Sequence, residues 1–109
     1  MTQYAILLYT PTPADPADLP AEELEAHLQH AAEAEELGGR VITGFGLHPS
    51  TIATSVRGDT VTDGPFIEAK EVIAGFYILE ARDLDHALEI TRRNPALRRG
   101  GVEIRPLLG

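Results

Sequence analysis

Val72-Ile73-Ala74-Gly75-Phe76-Tyr77-Ile78-Leu79-Glu80 decides the fold of this chain. Aromatic and β-branched residues fill the stretch and no turn residue follows Gly75, so it reads as a strand. Both of its alternating sets are apolar, Phe76 and Ile78 on one side against Tyr77 and Leu79 on the other. Tyr4-Ala5-Ile6-Leu7-Leu8-Tyr9 repeats the pattern, with Tyr4, Ile6 and Leu8 set against Ala5, Leu7 and Tyr9 and with Pro11 and Pro13 beyond it. Strands that are apolar on both faces need cover on both faces.

Outward from these two strands, the chain supplies two helices. Thr10 to Pro20 carries four prolines and two aspartates and reads as a connecting loop. Pro20 and the glutamates after it open a helix that runs to about Leu37, where Gly38 and Gly39 stop it. On a helical wheel Leu24, Leu28, Ala31 and Ala32 share one face, with Ala21 beside them and His27 at its edge. Glu35 falls in the middle of that face, which requires a frayed last turn or a polar cavity, and fraying is the expectation.

Arg40 to Leu47 reads as a strand with Val41, Thr43, Phe45 and Leu47 on one side. Ile42, Gly44 and Gly46 lie on the other, where the glycines leave room for close approach. Ala53 to Arg57 and Thr60 to Thr62 form a hairpin around Gly58-Asp59, ended by the turn Asp63-Gly64-Pro65. Asp83 caps a second helix to about Asn94, with Leu84, Ala87, Leu88 and Thr91 facing the core. Pro95 stops it, and Val102 to Pro106 is a last short strand. Strand, helix, strand, hairpin, strand, helix, strand fits an α+β, ferredoxin-like sheet with both helices on one face. The second apolar face calls for a second copy of the sheet, so a homodimer in the form of a dimeric α+β barrel is expected.

Composition bounds the partners. The chain has 109 residues, of which 43% are apolar and 24% charged, the profile of one folded domain spanning 1–109. No apolar run approaches the roughly 20 residues of a membrane span, and Met1-Thr2-Gln3-Tyr4 lacks the basic opening of a secretory signal. No membrane association and a cytoplasmic location are therefore expected. Without cysteine there are no disulfides, thiolate metal sites or cysteine nucleophiles. The net charge of −8 arises before Arg40, where Glu22, Glu23, Glu25, Glu33, Glu35 and Glu36 crowd the first helix and no lysine or arginine occurs. Nucleic acid is not expected as a direct partner. Arg92, Arg93, Arg98, Arg99 and Arg105 read as solvated charges that favour a helix C-terminus.

Thr60-Val-Thr-Asp-Gly-Pro-Phe-Ile-Glu-Ala-Lys-Glu-Val-Ile-Ala-Gly-Phe-Tyr77 resembles the signature of the DGPF family within the YCII-like superfamily. Leu47 and Pro49, Ala53-Thr54, Val56-Arg57, Asp83, Ala87, Pro95 and the closing Val102-Glu-Ile-Arg-Pro106 resemble it too. The resemblance implies a ferredoxin-like dimeric α+β barrel. Most members of that family have no assigned activity, and some occur beside or fused to sigma factors. In the wider superfamily a helix histidine and a nearby aspartate form a catalytic pair in a cleft. His27 matches that histidine by position, and Asp63 of the turn is the matching acid, with His30 a competing imidazole.

The residues themselves allow more than one function. His27 suits a general base oriented by Asp63, because an imidazole titrates near neutral pH and needs a partner to fix its tautomer; the plain reading is a half-buried histidine at the core edge. His27 and His30, three residues apart, suit a shared metal only if a third ligand joins them, and none is evident, so no metal and no cofactor is expected. His48 and His86 read as surface residues. Asp63-Gly64-Pro65-Phe66 has a structural reading: Asp63 accepts turn N–H groups, Gly64 permits unusual backbone angles and Phe66 plugs the sheet. Tyr9, Thr43 and Lys70, the sole lysine, are candidate substrate-binding residues, with solvated charge the plain reading of Lys70. The expected function is a small-molecule enzyme using a His27–Asp63 pair for general acid/base or hydrolytic chemistry. The alternative is a non-catalytic small-ligand-binding or regulatory module that acts with a protein partner such as a transcription factor.

Overall fold

The computed structural model describes residues 1–109. Six strands and two α-helices follow one another as β1 (Thr2–Pro11), α1 (Ala21–Glu36), β2 (Arg40–Gly46), β3 (Thr54–Arg57), β4 (Thr60–Asp63), β5 (Glu71–Ala81), α2 (Leu84–Thr91) and β6 (Gly101–Pro106). Strands β2, β5, β1 and β6 lie in that order in one sheet, and β3 pairs with β4 as a separate hairpin inserted between β2 and β5. Every pairing is antiparallel, the two doubly apolar strands sit side by side at the centre, and the topology is that of a ferredoxin-like α+β fold. No helix is long and apolar enough to cross a membrane.

The register sorts the two faces. Tyr4 pairs with Leu79, Ile6 with Tyr77 and Leu8 with Gly75, which places these residues on the face covered by the helices. Tyr4, Ile6, Tyr77, Leu79 and Ala81 are buried there against Ala34 of α1 and Ala87 and Ile90 of α2. Ala5, Leu7 and Tyr9 of β1, with Phe76 and Ile78 of β5, take the opposite face, which no element of the chain covers. Phe45 and Phe76 meet on it with ring centroids 6.0 Å apart.

Three elements differ from the sequence expectation. In β2 the register shifts between Val41 and Thr43. The irregularity leaves Val41 on the helix side opposite Leu79 and turns Thr43 and Phe45 to the open face opposite Ile78 and Phe76. Gly44 then passes Tyr77 so closely that a Cβ there would lie 2.7 Å from the Tyr77 Cβ, which explains the glycine side of this strand.

Helix α1 is rotated from the face expected of its leucines. Its buried residues are Glu23, His30 and Ala34, whereas Leu24 and Leu28 are 50% and 76% exposed. Positions 23, 27, 30, 34 and 37 follow one stripe at helical spacing, and polar partners on the C-terminal segment and the sheet receive Glu23 and His30. Glu35 is consequently an ordinary exposed residue, and neither fraying nor a cavity is needed to place it.

Helix α2 starts as expected, with the Asp83 carboxylate accepting the His86 N–H at 2.9 Å. His86 is a buried residue, however, not a surface one, and Leu84 is exposed. The Arg82 N–H donates to His86 Nδ1 at 3.0 Å, and His86 Nε2 donates to the Leu37 carbonyl at 2.7 Å. A ring protonated on Nε2 satisfies both contacts and ties the end of α1 to the start of α2.

Candidate functional site

The rotation of α1 opens a cleft of about 630 Å³ between that helix, the loop after β1 and the ends of β1, β2 and β5. Leu8, Leu24, Leu28 and Ala31 give it apolar walls, and His27, His30, Tyr77 and Arg99 bring the chemistry. Asp15 and Asp18 reach it from the loop, where Asp15 accepts the Ala17 N–H at 2.9 Å and thereby caps the short 3-10 turn Pro16–Asp18. The backbone of the same loop holds Ala14 in the left-handed region at φ 57°.

At one end of the cleft, Glu23 near the start of α1 meets Arg99 of the segment before β6. Arg99 Nε donates to both Glu23 oxygens at 3.1 and 2.9 Å, and Arg99 Nη2 lies 2.7 Å from Glu23 Oε2. These bonds hold the Glu23 carboxyl below its ordinary range, against the opposing effect of desolvation. The pair ties the start of α1 to the segment before β6.

His27 follows one turn later and is partly buried in the cleft wall. Burial lowers its pKa, Arg98 adds to the effect, and the Glu23 charge opposes it without reversing it. The ring is therefore held toward the neutral form, which is the form that accepts a proton.

His30, a further turn along, is 4% exposed and forms a 2.9 Å hydrogen bond through Nε2 with the Tyr77 hydroxyl, the rings meeting edge to face. Burial drives the Tyr77 phenol up to about 12, with the Asn94 amide acting in the opposite direction, and burial also lowers His30. Both groups are neutral at ordinary pH. His30 Nδ1 is a buried side-chain nitrogen with no hydrogen-bond partner.

Of the residues given catalytic or substrate-binding roles from sequence, His27 alone lines this cleft, and the competing imidazole of His30 lines it too. Asp63 ends β4 on the separate hairpin, is exposed and borders neither large cavity, so within one chain it does not share a cavity with His27. Gly64 beside it adopts φ +102°, and Phe66 does not plug the sheet but stands exposed under the Arg57 guanidinium, 4.0 Å from the ring centroid. Tyr9 lies on the open face, where its hydroxyl donates to Glu103 at 3.2 Å. Burial raises its pKa, reinforced by that bond and by the Glu103 charge. Tyr9 borders a second cavity, of about 660 Å³, between the start of β5 and the base of the hairpin. Thr43 is exposed on the same face, and Lys70 is exposed just before β5 and lines neither cavity.

No three His, Cys, Asp or Glu side chains cluster as metal ligands would, and His30 Nε2 is already engaged by Tyr77. The residues missed from sequence are Tyr77, Arg99, Asn94, Asp15 and Asp18. Their signal lies in pairings between distant parts of the chain, although the stripe of Glu23, His27, His30, Ala34 and Leu37 was open to a wheel drawn without insisting on leucine.

Fold and site together define a ferredoxin-like α+β protein with a histidine-lined cleft beneath its first helix. Residues 2–108 match the YCII-related domain, and the chain belongs to that family. An uncharacterised protein of Rhizobium meliloti (strain 1021) is 42% identical over 69 residues, covering 56% of this chain and 54% of that protein. The matched region thus spans about half the length of that relative.

Proposed function

We propose that the cleft beneath α1 is the binding site of a small apolar molecule on which His27 acts as a general base, directly or by activating water. The observation that carries this reading is an imidazole kept neutral by partial burial in the wall of a 630 Å³ cavity with apolar sides. A lowered pKa leaves more of the ring ready to accept a proton below neutrality. The narrower kinship with the DGPF family, suggested by Asp63-Gly64-Pro65-Phe66, is part of the same proposal.

The dimeric barrel supports the roles assigned to the remaining residues. The face bearing Ala5, Leu7, Phe45, Phe76 and Ile78 is apolar and uncovered, and a second copy placed on it would enclose Tyr9 and Thr43 between the two sheets. Asp63 and Lys70 lie outside the cleft of their own chain, so their action on a bound molecule would depend on that assembly. A His27–Asp63 pair is accordingly proposed for the dimer and not for the isolated chain.

Hydrolysis of p-nitrophenyl acetate tests the general-base role. The rate is expected to rise with pH around a midpoint below that of a free imidazole and to fall to the buffer rate in His27→Gln, with the melting temperature preserved. An unchanged rate and profile in His27→Gln would overturn it and favour the non-catalytic binding module.

A further inference from the structure

The β3–β4 hairpin carries the inference furthest, and the inference rests on the two-fold barrel proposed above. Each of its strands pairs only with the other, so the hairpin stands outside the main sheet. Val56 pairs with Val61 across it, and alternation puts both on one face with Thr54 and Asp63, leaving Ser55, Arg57, Thr60 and Thr62 on the other. The apolar pair nevertheless lies in water, 60% and 65% exposed. A lone two-stranded hairpin is marginally stable without a surface to pack on. Here the Gly64 N–H bonded to the Ala53 carbonyl, the Ser55 hydroxyl bonded to the Gly64 carbonyl and the Arg57 guanidinium over the Phe66 ring fix the shape of the hairpin at its base. The arm is preformed, and its apolar face is uncovered.

The surface of the whole molecule says how much cover is missing. The chain exposes 7155 Å² and is only 19 Å across in its shortest dimension. A compact monomer of this mass exposes about 5,900 Å², which leaves an excess of roughly 1,200 Å², more than the ~800 Å² that each partner gives to an interface of standard size. The open sheet face and the hairpin adjoin each other in this excess. Tyr9 and Ile73, paired on the open face, border the second cavity, and Ile52, Phe66 and Ile67 at the base of the hairpin form its other wall and are themselves exposed. The cavity is the corner between sheet face and arm, so a body laid on the one meets the other. A second copy suits that corner, because a face packed on its own equivalent about a two-fold axis brings each arm to the other chain.

We propose that the β3–β4 hairpin is a dimerisation arm. With the two open faces together, the Val56–Val61 face of each hairpin lies on the partner copy, and sheet face and arm form one continuous interface. Asp63 shares that face of the hairpin, so the docked arm presents its carboxylate to the partner and not to the cleft of its own chain.

The test mixes 13C-labelled and unlabelled intact chains and reads isotope-filtered NOEs between them. Contacts to the unlabelled partner are expected from the Val56 and Val61 methyl groups as well as from Ile78 on the sheet face. In sedimentation, Val56→Asp and Val61→Asp are each expected to weaken the dimer by about tenfold or more with the far-UV circular dichroism preserved, because a charge replaces a buried apolar side chain.

Contacts from Ile78 with none from the hairpin would overturn the arm and leave the barrel standing, as would dimers that neither aspartate weakens. A monomeric parent would overturn both. A four-chain parent that the aspartates return to two chains would place the hairpin between dimers and overturn the arm as proposed. The NOE measurement needs no variant, so it decides even if the aspartates unfold the hairpin.

Discussion

Gly64 and His86 show how single residues meet demands of different kinds. At Gly64 the backbone lies at φ +102°, yet a Cβ there would meet nothing within 4 Å, so the demand is conformational and not steric crowding. The Gly64 N–H donates to the Ala53 carbonyl at 2.7 Å and the Ser55 hydroxyl donates to the Gly64 carbonyl at 2.7 Å, which hold the turn in place. Gly64→Val is expected to cost about 1–3 kcal/mol in chemical denaturation, and Asp63→Asn less. Equal stability of Gly64→Val and the parent would show that the turn makes no such demand. At His86 the demand is for two opposed hydrogen bonds in a buried place. His86→Leu strands the Arg82 N–H and the Leu37 carbonyl, and a loss of about 1–3 kcal/mol is expected from thermal or urea melts.

At the scale of the element, α1 illustrates why an amphipathic helix is not always seated by its largest apolar residues. Glu23–Arg99 at one end and His30–Tyr77 in the middle form only with the leucines turned toward the cleft. A double-mutant cycle checks this: Glu23→Ala and Arg99→Ala are each expected to destabilise the fold, and the double variant to be less destabilised than the sum of the two. Strict additivity would mean that the pair contributes nothing to seating the helix.

The same helix predicts a pH dependence. His27 and His30 both have folded pKa values below the unfolded one, so the unfolded chain binds more protons as the pH falls. Their contribution is complete above the unfolded value of about 6.5 and is lost as the pH drops through the lowered folded values. The Glu23 contribution persists to lower pH, because its folded pKa is also depressed, and disappears in acid below the usual carboxylate range. Urea midpoints are expected to decline between pH 7 and pH 5 and to decline less in His30→Phe. A flat profile in the parent across that interval would contradict the burial of neutral imidazoles.

For the whole molecule, the outstanding feature is the uncovered sheet face. Two helices protect one side of a four-stranded sheet whose central strands are apolar on both sides. Sedimentation at micromolar concentration is expected to give twice the chain mass, and Ile78→Glu, which places a charge in the middle of the open face, to give a monomer. A monomeric parent would remove the barrel and, with it, the proposed contribution of Asp63, Thr43 and Lys70 to the site.

The order of elements along the chain, the strand boundaries within a residue or two and the doubly apolar centre follow from alternation and turn residues, because those signals are local and each strand carries its own; α2 ends at Thr91, three residues short of the Asn94 expected. Asp83 as the cap of α2 and Gly64 in a left-handed turn were legible for the same reason. The seating of α1 was not, since a wheel weighs leucine above histidine and cannot know that Arg99, 76 positions from Glu23, supplies a partner. The irregularity after Val41 was hidden too, for a shifted register is set by the neighbouring strand. Sequence alone picked out His27. Only the tertiary structure, by bringing Tyr77 and Arg99 beneath one helix, decided that His27 belongs to a cleft, that Asp63 stands outside it and that His30 is buried against the Tyr77 hydroxyl. Long-range polar pairing depends on which surfaces meet, and no local pattern encodes it.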